Sequence, residues 1–337
     1  MFLYYKILFL ITLMIGSLIS ISSNSWMGMW LGLEINLLAF IPFIQEKNNT
    51  LSTESSLKYF LTQALASIIL LFTLIFLSKN YLMMKYIDNS IMIIFNSALL
   101  TKMGMAPFHF WFPEVIEGLN WLNCLILLTW QKITPMVLIM YNINFQYFFI
   151  IIIIFSMLIS GFMGINQVSL RKILAYSSIN HMAWMLSAMF FSETIWFYYF
   201  ITYLILTINI VMIIKSLNIF YYNQLLISMN NNFIFKLLFS LNFLSLGGLP
   251  PFLGFFPKWI SIQYLISSNQ IMLAFLMIMM TLFTLFYYMQ LIYNVIILTN
   301  NEVNYYSSPL ITSTMISIFN ISTLSGLLFF TLTFNFL

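Results

Sequence analysis

The chain has 337 residues, 62 % of them apolar and only 6 % charged. A soluble domain carries about 25 % charged residues, so this composition cannot clothe a water-facing surface; it describes an all-α polytopic membrane protein. The net charge of +4, from scattered basic residues, gives no sign of a nucleic-acid partner, and Cys124, the single cysteine, forms no intramolecular disulfide and no cysteine metal site.

In chain order, Lys6 is followed by ILFLITLMIGSLIS. The apolar run reaches the roughly 20 residues a span needs, and no A-x-A-like cleavage site follows, so a retained first helix is expected rather than a leader. No Arg-rich presequence is present. Apolar stretches between polar breaks then give about eleven transmembrane helices: 3–22, 26–45, 57–78, 89–111, 120–142, 147–166, 172–191, 195–219, 235–267 (interrupted), 270–298 and 310–335. The breaks SSNS, QEKNNTLSTES, NQVSLRK, YYNQ to MNNN, and TNNEVNYYSSP have loop chemistry. Lys6, Lys47, Lys58, Arg171, Lys172, Lys215 and Lys236 fall on one side of this topology, and Lys79 and Lys85 on the other. The positive-inside tendency then puts the N-terminus on the matrix or cytoplasmic side and the C-terminus opposite.

Residues 104–113, GMAPFHFWFP, match 248–257, GLPPFLGFFP, at five of ten positions. Five spans separate the two stretches, so the copies are expected to face opposite ways. This organises the single transmembrane domain, 1–337, into a first five-helix repeat (1–142), a second, inverted one (147–298), and a last helix (310–335). Proline removes a backbone donor and glycine permits turns that break a helix, so Gly104, Pro107, Gly248, Pro250 and Pro251 are expected helix breaks. A kink is the plainer reading of one such break. Two matched breaks, each with a lysine nearby, are the arrangement expected of an ion or solute transporter.

Four ionisable residues lie inside spans. Glu34 sits in WMGMWLGLEINLLAF, Lys102 precedes the first break, Lys132 lies in LILLTWQKITPM, and Lys258 follows the second break in GFFPKWI. Each costs roughly 2.5–3.5 kcal/mol at the bilayer centre on insertion scales, so each must pair, be hydrated or face an interior. One static Glu–Lys pair would leave two lysines unexplained. Moving a carboxylate relative to a buried lysine changes whether that lysine holds its proton, so these four residues are the expected proton-translocation groups. His109, inside the first break, and His181, in SSINHMAW, are possible relays. Glu114, Glu117 and Glu54 suit helix beginnings. No nucleophile triad, phosphate loop or redox-cofactor motif is present, so no catalytic residue and no bound cofactor or metal is expected in this chain.

The stretches SNSWMGMWLGLEINLLAFIP, STESSLKYFLTQALAS, APFHFWFPEVIEGLNW, TWQKITP, QVSLRKILAYSSINHMAW and NFLSLGGLPPFLGFFPKW together resemble the NADH dehydrogenase subunit 2 family, antiporter-like chains of mitochondrial respiratory complex I, in its insect-like form. The resemblance runs from about residue 20 to 295. It implies a mitochondrially encoded inner-membrane subunit, made without a presequence, in the proton-pumping arm of an NADH:ubiquinone oxidoreductase translocase. It implies that NADH, FMN, iron–sulfur clusters and ubiquinone bind other subunits. The expected partners are those subunits, neighbouring antiporter-like chains among them, and membrane lipids. The family's key charges fall on Glu34, Lys102, Lys132 and Lys258, and lysine rather than glutamate at 258 sets this family apart from the sister subunit 4. Bacterial relatives have fourteen helices, and the animal form lacks the first three. A stand-alone cation/proton antiporter and a non-pumping scaffold are the alternatives that the residues alone leave open.

Overall fold

A computed structural model describes residues 2–46, 49–79, 85–143, 145–228, 233–250 and 252–297, together with Asn320 and Gly326. Within these residues the chain forms fourteen helices, and the only β-pairing is one isolated bridge between Ser169 and Tyr221. Seven spans are long and apolar enough to cross a membrane: Tyr4–Ser22, Trp26–Ile44, Thr50–Ser78, Trp121–Met140, Gln146–Ile165, Glu193–Leu217 and Ile271–Ile297. The protein is therefore an all-helical, multi-pass membrane protein. Of the eleven expected spans, 89–111, 172–191 and 235–267 are helical or broken-helical without being long apolar rods, and 310–335 lies outside the described residues but for Asn320 and Gly326.

The chain divides into two compact units, Met1–Phe149 and Ile150–Leu337. The first contains α1 (Phe2–Ser22), α2 (Trp26–Ile44), α3 (Thr50–Lys79), α4 (Lys85–Met103), α5 (Trp111–Gly118), α6 (Trp121–Leu128) and α7 (Trp130–Met140). Helices α1 and α2 pack backbone against backbone. A Cβ on Gly32 would lie 2.6 Å from the Ser20 nitrogen and 2.7 Å from the Gly16 oxygen. Small residues at such crossings are how helices associate where lipid offers no hydrophobic drive. Trp130 Nε1 donates to Ser17 Oγ at 3.1 Å, which ties α7 to α1. Large side chains point outward in helical stripes, such as Leu61, Leu65, Ile68 and Phe72 on α3. An apolar exterior of this kind suits hydrocarbon rather than water.

The second unit holds most of α8 (Gln146–Ile165), then α9 (Leu170–Met189), α10 (Glu193–Leu217), α11 (Tyr222–Ser228), α12 (Phe233–Gly247), α13 (Phe255–Ser267) and α14 (Ile271–Ile297). Ser192 caps α10, accepting from the Ile195 amide at 3.3 Å. Helix α9 is buried continuously from Ile173 to Met189, although it carries Ser177, Ser178, Asn180 and His181. A helix polar in the middle yet buried all round lies in the interior of its bundle, which is why it lacks the apolar character of its lipid-facing neighbours.

The expected span 120–142 forms as Trp121–Met140, with α6 and α7 meeting at a distorted Thr129, whose hydroxyl turns back to the Leu125 carbonyl at 2.6 Å. Three expectations need correction. Of the stretch from YYNQ to MNNN, read as loop, Tyr222–Ser228 form the short helix α11. Arg171 and Lys236, counted with the loops, are buried at 8 % and 6 % exposure, Arg171 with its guanidinium 4.7 Å from the Phe220 ring centroid. Glu54 lies beyond the first turn of α3 and pairs with Lys58 at 3.0 Å, so an ion pair rather than the helix terminus accounts for it.

Candidate functional site

Both expected breaks form, and by the same device. In the first unit Gly104 takes φ +73°, its N–H donates to the Thr101 carbonyl at 3.1 Å, and the Met105 N–H donates to Leu100 at 3.1 Å. In the second, Gly248 takes φ +78°, its N–H donates to Ser245 at 3.0 Å, and the Leu249 N–H donates to Leu244 at 3.3 Å. This pair of bonds is the Schellman cap, and it needs a left-handed residue that only glycine supplies without strain. The chain then turns through Pro107 or Pro250 and restarts as α5 or α13. Pro251 lies outside the described residues.

The first break carries three of the four ionisable groups. Lys102, in the last turn of α4, is 8 % exposed, and its Nζ stands 4.0 Å from Glu34 Oε1 on α2. Opposite charges at that separation attract by roughly 4 kcal/mol at an effective dielectric of 20. The contact is too long for a hydrogen bond, and Glu34 Oε1 accepts none among the described residues. The pair is thus held by charge and can separate without breaking directional bonds.

Lys102 and Lys132 line one small internal cavity. Lys132, on α7, is 1 % exposed, and its ammonium lies 5.0 Å from the centroid of the Phe112 ring. The walls also carry Asn36, Gln63, Gln131 and Thr134. About 20 Å³ is open to the centre of a water-sized sphere, room for a water with several polar partners. Gln63 Nε2 donates to the Lys102 carbonyl at 3.2 Å, and Gln131 Nε2 donates to Asn36 Oδ1 at 2.9 Å. These amides were missed in the sequence. Their signal was available: each is an uncharged polar residue deep in an apolar span, and two of them adjoin the charges, Asn36 beside Glu34 and Gln131 beside Lys132.

Lys258 belongs to the second unit. Its Nζ donates to the Gly247 carbonyl at 2.8 Å, the terminal carbonyl of α12. A cation there complements both the helix dipole and an orphaned acceptor. Gly248 makes room for it, since a Cβ on that glycine would lie 2.7 Å from Lys258 Cδ.

The histidines sit apart from the cavity. His109 is 2 % exposed inside the first break, with Nδ1 3.4 Å from the Pro107 oxygen. His181, on α9, is 4 % exposed, with Nδ1 3.1 Å from the Tyr199 hydroxyl. Glu114 lies in the first turn of α5, as a carboxylate favoured by the helix dipole would, and also accepts from Lys58 Nζ at 2.8 Å.

The family described as "NADH:quinone oxidoreductase/Mrp antiporter, TM" matches residues 23–284. A curated relative named NADH-ubiquinone oxidoreductase chain 2, from Anopheles gambiae, is 50 % identical over 95 % of each chain. Another of that name, from Locusta migratoria, is 43 % identical over 90 % of this chain and 89 % of its own. Among solved structures, a chain of respiratory complex I from Thermus thermophilus aligns with a TM-score of 0.87 and 20 % identity, covering 98 % of this chain and 79 % of that one. A chain of the Mrp complex from Dietzia sp. aligns at 0.79 and 14 %, covering 96 % and 75 %. The distant structures speak for the fold, and the close relatives for the kind: the chain belongs to the NADH-ubiquinone oxidoreductase chain 2 family of antiporter-like membrane proteins.

Proposed function

We propose that the chain is a core membrane subunit of the proton-translocating NADH:ubiquinone oxidoreductase of the mitochondrial inner membrane, and that Glu34, Lys102, Lys132 and Lys258 carry its proton path. Relatives named for that enzyme, 50 % and 43 % identical across nearly the whole chain, support the first part and set aside a stand-alone antiporter. NADH, FMN, the iron–sulfur clusters and ubiquinone are assigned to other subunits. The neighbours include other antiporter-like chains. Lys6, Lys47, Lys58, Lys172 and Lys215 on one side against Lys79 and Lys85 on the other support a matrix-side N-terminus and an opposite C-terminus, even with the buried Arg171 and Lys236 left out.

The observation that carries the proton path is the grouping of Glu34, Lys102 and Lys132 beside a broken helix and around one polar cavity. With Glu34 at 4.0 Å, Lys102 keeps a counter-charge. When the carboxylate withdraws, an isolated ammonium in a buried site is costly, and the proton leaves for the cavity. Asn36 and Gln131, which line the same cavity, supply hydrogen-bonding groups for the passage to Lys132, while Gln63 holds the Lys102 carbonyl. Lys258 is assigned the equivalent duty in the second unit.

Two measurements test this. On a native gel stained for NADH oxidation, the chain should run only in the large NADH-oxidising band; migration alone or in a small inactive band would end the subunit reading. In membranes carrying Lys102→Met, the complex should assemble while proton translocation is lost. Normal pumping by that variant would refute the path.

A further inference from the structure

The second unit contains a larger cavity, of about 450 Å³, where the α8–α9 connection, α11 and α14 meet. Its frame is backbone. The Leu170 N–H donates to the Phe220 carbonyl and the Tyr222 N–H to the Val168 carbonyl, both at 3.1 Å, which pins the α8–α9 connection to the one between α10 and α11. Gln224 Oε1 accepts from the Phe220 and Tyr221 amides at 2.9 and 3.2 Å and fixes the start of α11. Gly164 brings α8 against α14, since a Cβ there would lie 2.8 Å from the Tyr287 ring. The space is preformed, and its volume is that of a ligand pocket.

The lining is polar and uncharged. Asn166, Gln167, Asn223 and Gln290 contribute amides, and Tyr222 and Tyr287 contribute phenols. Each amide offers donors and an acceptor, and each phenol a hydroxyl and a π face. Tyr287 is only 3 % exposed, yet its hydroxyl, like that of Tyr222, completes no hydrogen bond of good geometry among the described residues. A buried polar group left so costs about 1–3 kcal/mol. Two of them on one cavity call for an occupant with polar atoms.

The cavity also lies where lipid headgroups lie. Two connections between spans bound it, and Tyr221 and Tyr293 are exposed in the adjoining chain, as phenols are at membrane interfaces. Toward the membrane interior the surface turns apolar. Phe162 on α8 and Phe283 on α14, both exposed, have ring centroids 5.0 Å apart, and Phe286 is exposed next to Tyr287. Water alone would wet a small polar pocket. A space this large, with phenol walls and an apolar strip leading out of it, fits an amphiphile.

We propose that this cavity binds the headgroup of a zwitterionic phospholipid with a primary ammonium, of the phosphatidylethanolamine type, whose acyl chains lie along Phe162, Phe283 and Phe286. Amide N–H groups and phenol hydroxyls donate to the phosphate oxygens. Amide carbonyls accept from the ammonium, and the phenol rings face it as cation–π partners. A lining without charge suits a headgroup whose own charges cancel. A choline headgroup has no N–H to give the carbonyls, and an anionic one would find no cation in the lining. The bound lipid ties the α8–α9 connection to α14.

The test uses the intact NADH-oxidising complex in phosphatidylcholine vesicles that contain a trace of phosphatidylethanolamine with a photoreactive acyl chain. Illumination should place adducts near Phe162, Phe283 and Phe286, several-fold above those from a phosphatidylcholine probe with the same chain. Unlabelled phosphatidylethanolamine should compete, while phosphatidylglycerol and soluble glycerophosphoethanolamine should not. Asn223→Leu and Gln290→Leu, at exposed positions, should lower the adducts several-fold with assembly unchanged on a native gel. Tyr147→Phe, at the exposed far end of α8, should leave them as they are. Labelling that is absent, or equal for the two probes, would leave ordinary lipid contact only. Competition by phosphatidylglycerol would make this an anionic-lipid site, and competition by the soluble headgroup a site for a small solute. Each of these results overturns the proposal, as does unchanged labelling in both leucine variants. Proton translocation enters none of the readouts, so the lipid site and the proton path stand or fall separately.

Discussion

The two broken helices share a cap and differ in what they hold. With Gly104 aligned on Gly248, Glu114 falls on Lys258, Phe112 on Phe256 and Lys102 on Leu246. In the first unit the residue after the break is a carboxylate, half exposed and paired with Lys58 at 2.8 Å, while the buried lysine comes before the break and its carbonyl is taken by the neutral Gln63 amide. In the second unit the buried lysine comes after the break and itself caps the terminal carbonyl of α12. The lesson is that the backbone device is repeated and the charge is not. A Schellman cap leaves carbonyls exposed at membrane depth, and each unit satisfies one with a different side chain: Gln63 in the first, which leaves the Lys102 ammonium to Glu34, and Lys258 itself in the second.

The sharpest way to break this comparison is to exchange the charges. Lys258→Met should reduce proton translocation on the order of 10²-fold, the scale on which a positioned proton-transfer group acts, while Glu114→Gln at the matching position should leave it nearly unchanged. Lys258→Arg separates the two duties of this residue. A guanidinium keeps the cation at the end of α12 but does not give up its proton, so that variant should assemble and fail to pump. Pumping by Lys258→Arg, read as acidification per NADH oxidised in sealed membranes, would make Lys258 a helix cap and nothing more.

The glycines come next in size. Gly104→Ala and Gly248→Ala each force a side chain into the left-handed region at a cost of about 1–2 kcal/mol. Both should lower the amount of assembled complex on a native gel. They should differ in what survives. The new Cβ in Gly104→Ala meets Phe112 at 2.9 Å, whereas in Gly248→Ala it meets the Lys258 side chain at 2.7 Å. The second should therefore lose more turnover per assembled complex than the first. Equal losses would mean that the breaks matter only as turns.

How far the sequence foretold this follows from which signals survive without neighbours. Length and predominant apolarity identified helices such as 26–45 and 270–298, because a bilayer sets one thickness for all of them. The breaks at Gly104 and Gly248 were legible because glycine and proline act locally. The distortion at Thr129 was not: threonine is an ordinary helix residue, and what marks it here is a hydroxyl turning back to Leu125. Lys132 could be picked out as a buried charge, yet its sharing of a cavity with Lys102 depends on α4 meeting α7, which no local pattern encodes. Arg171 and Lys236 were misplaced for the related reason that a basic residue near a span end reads as loop until packing shows it covered.

The smallest effect concerns the amide that Lys102 leans on. Gln63→Leu removes the donor to the Lys102 carbonyl while keeping the volume, and a buried hydrogen bond of this kind contributes about 1 kcal/mol. The carbonyl left bare is in the last turn of α4, where Gly104 already turns the chain. The expected result is slightly reduced thermal stability of the assembled complex, followed as loss of NADH oxidation on heating, with pumping still detectable. In the second unit the equivalent support is Lys258 itself, so there the separation has to come from Lys258→Arg rather than from a neighbouring residue. If Gln63→Leu abolished pumping outright, as Lys102→Met is expected to, the amide would belong to the proton path, and the first break would be no more divided in its duties than the second.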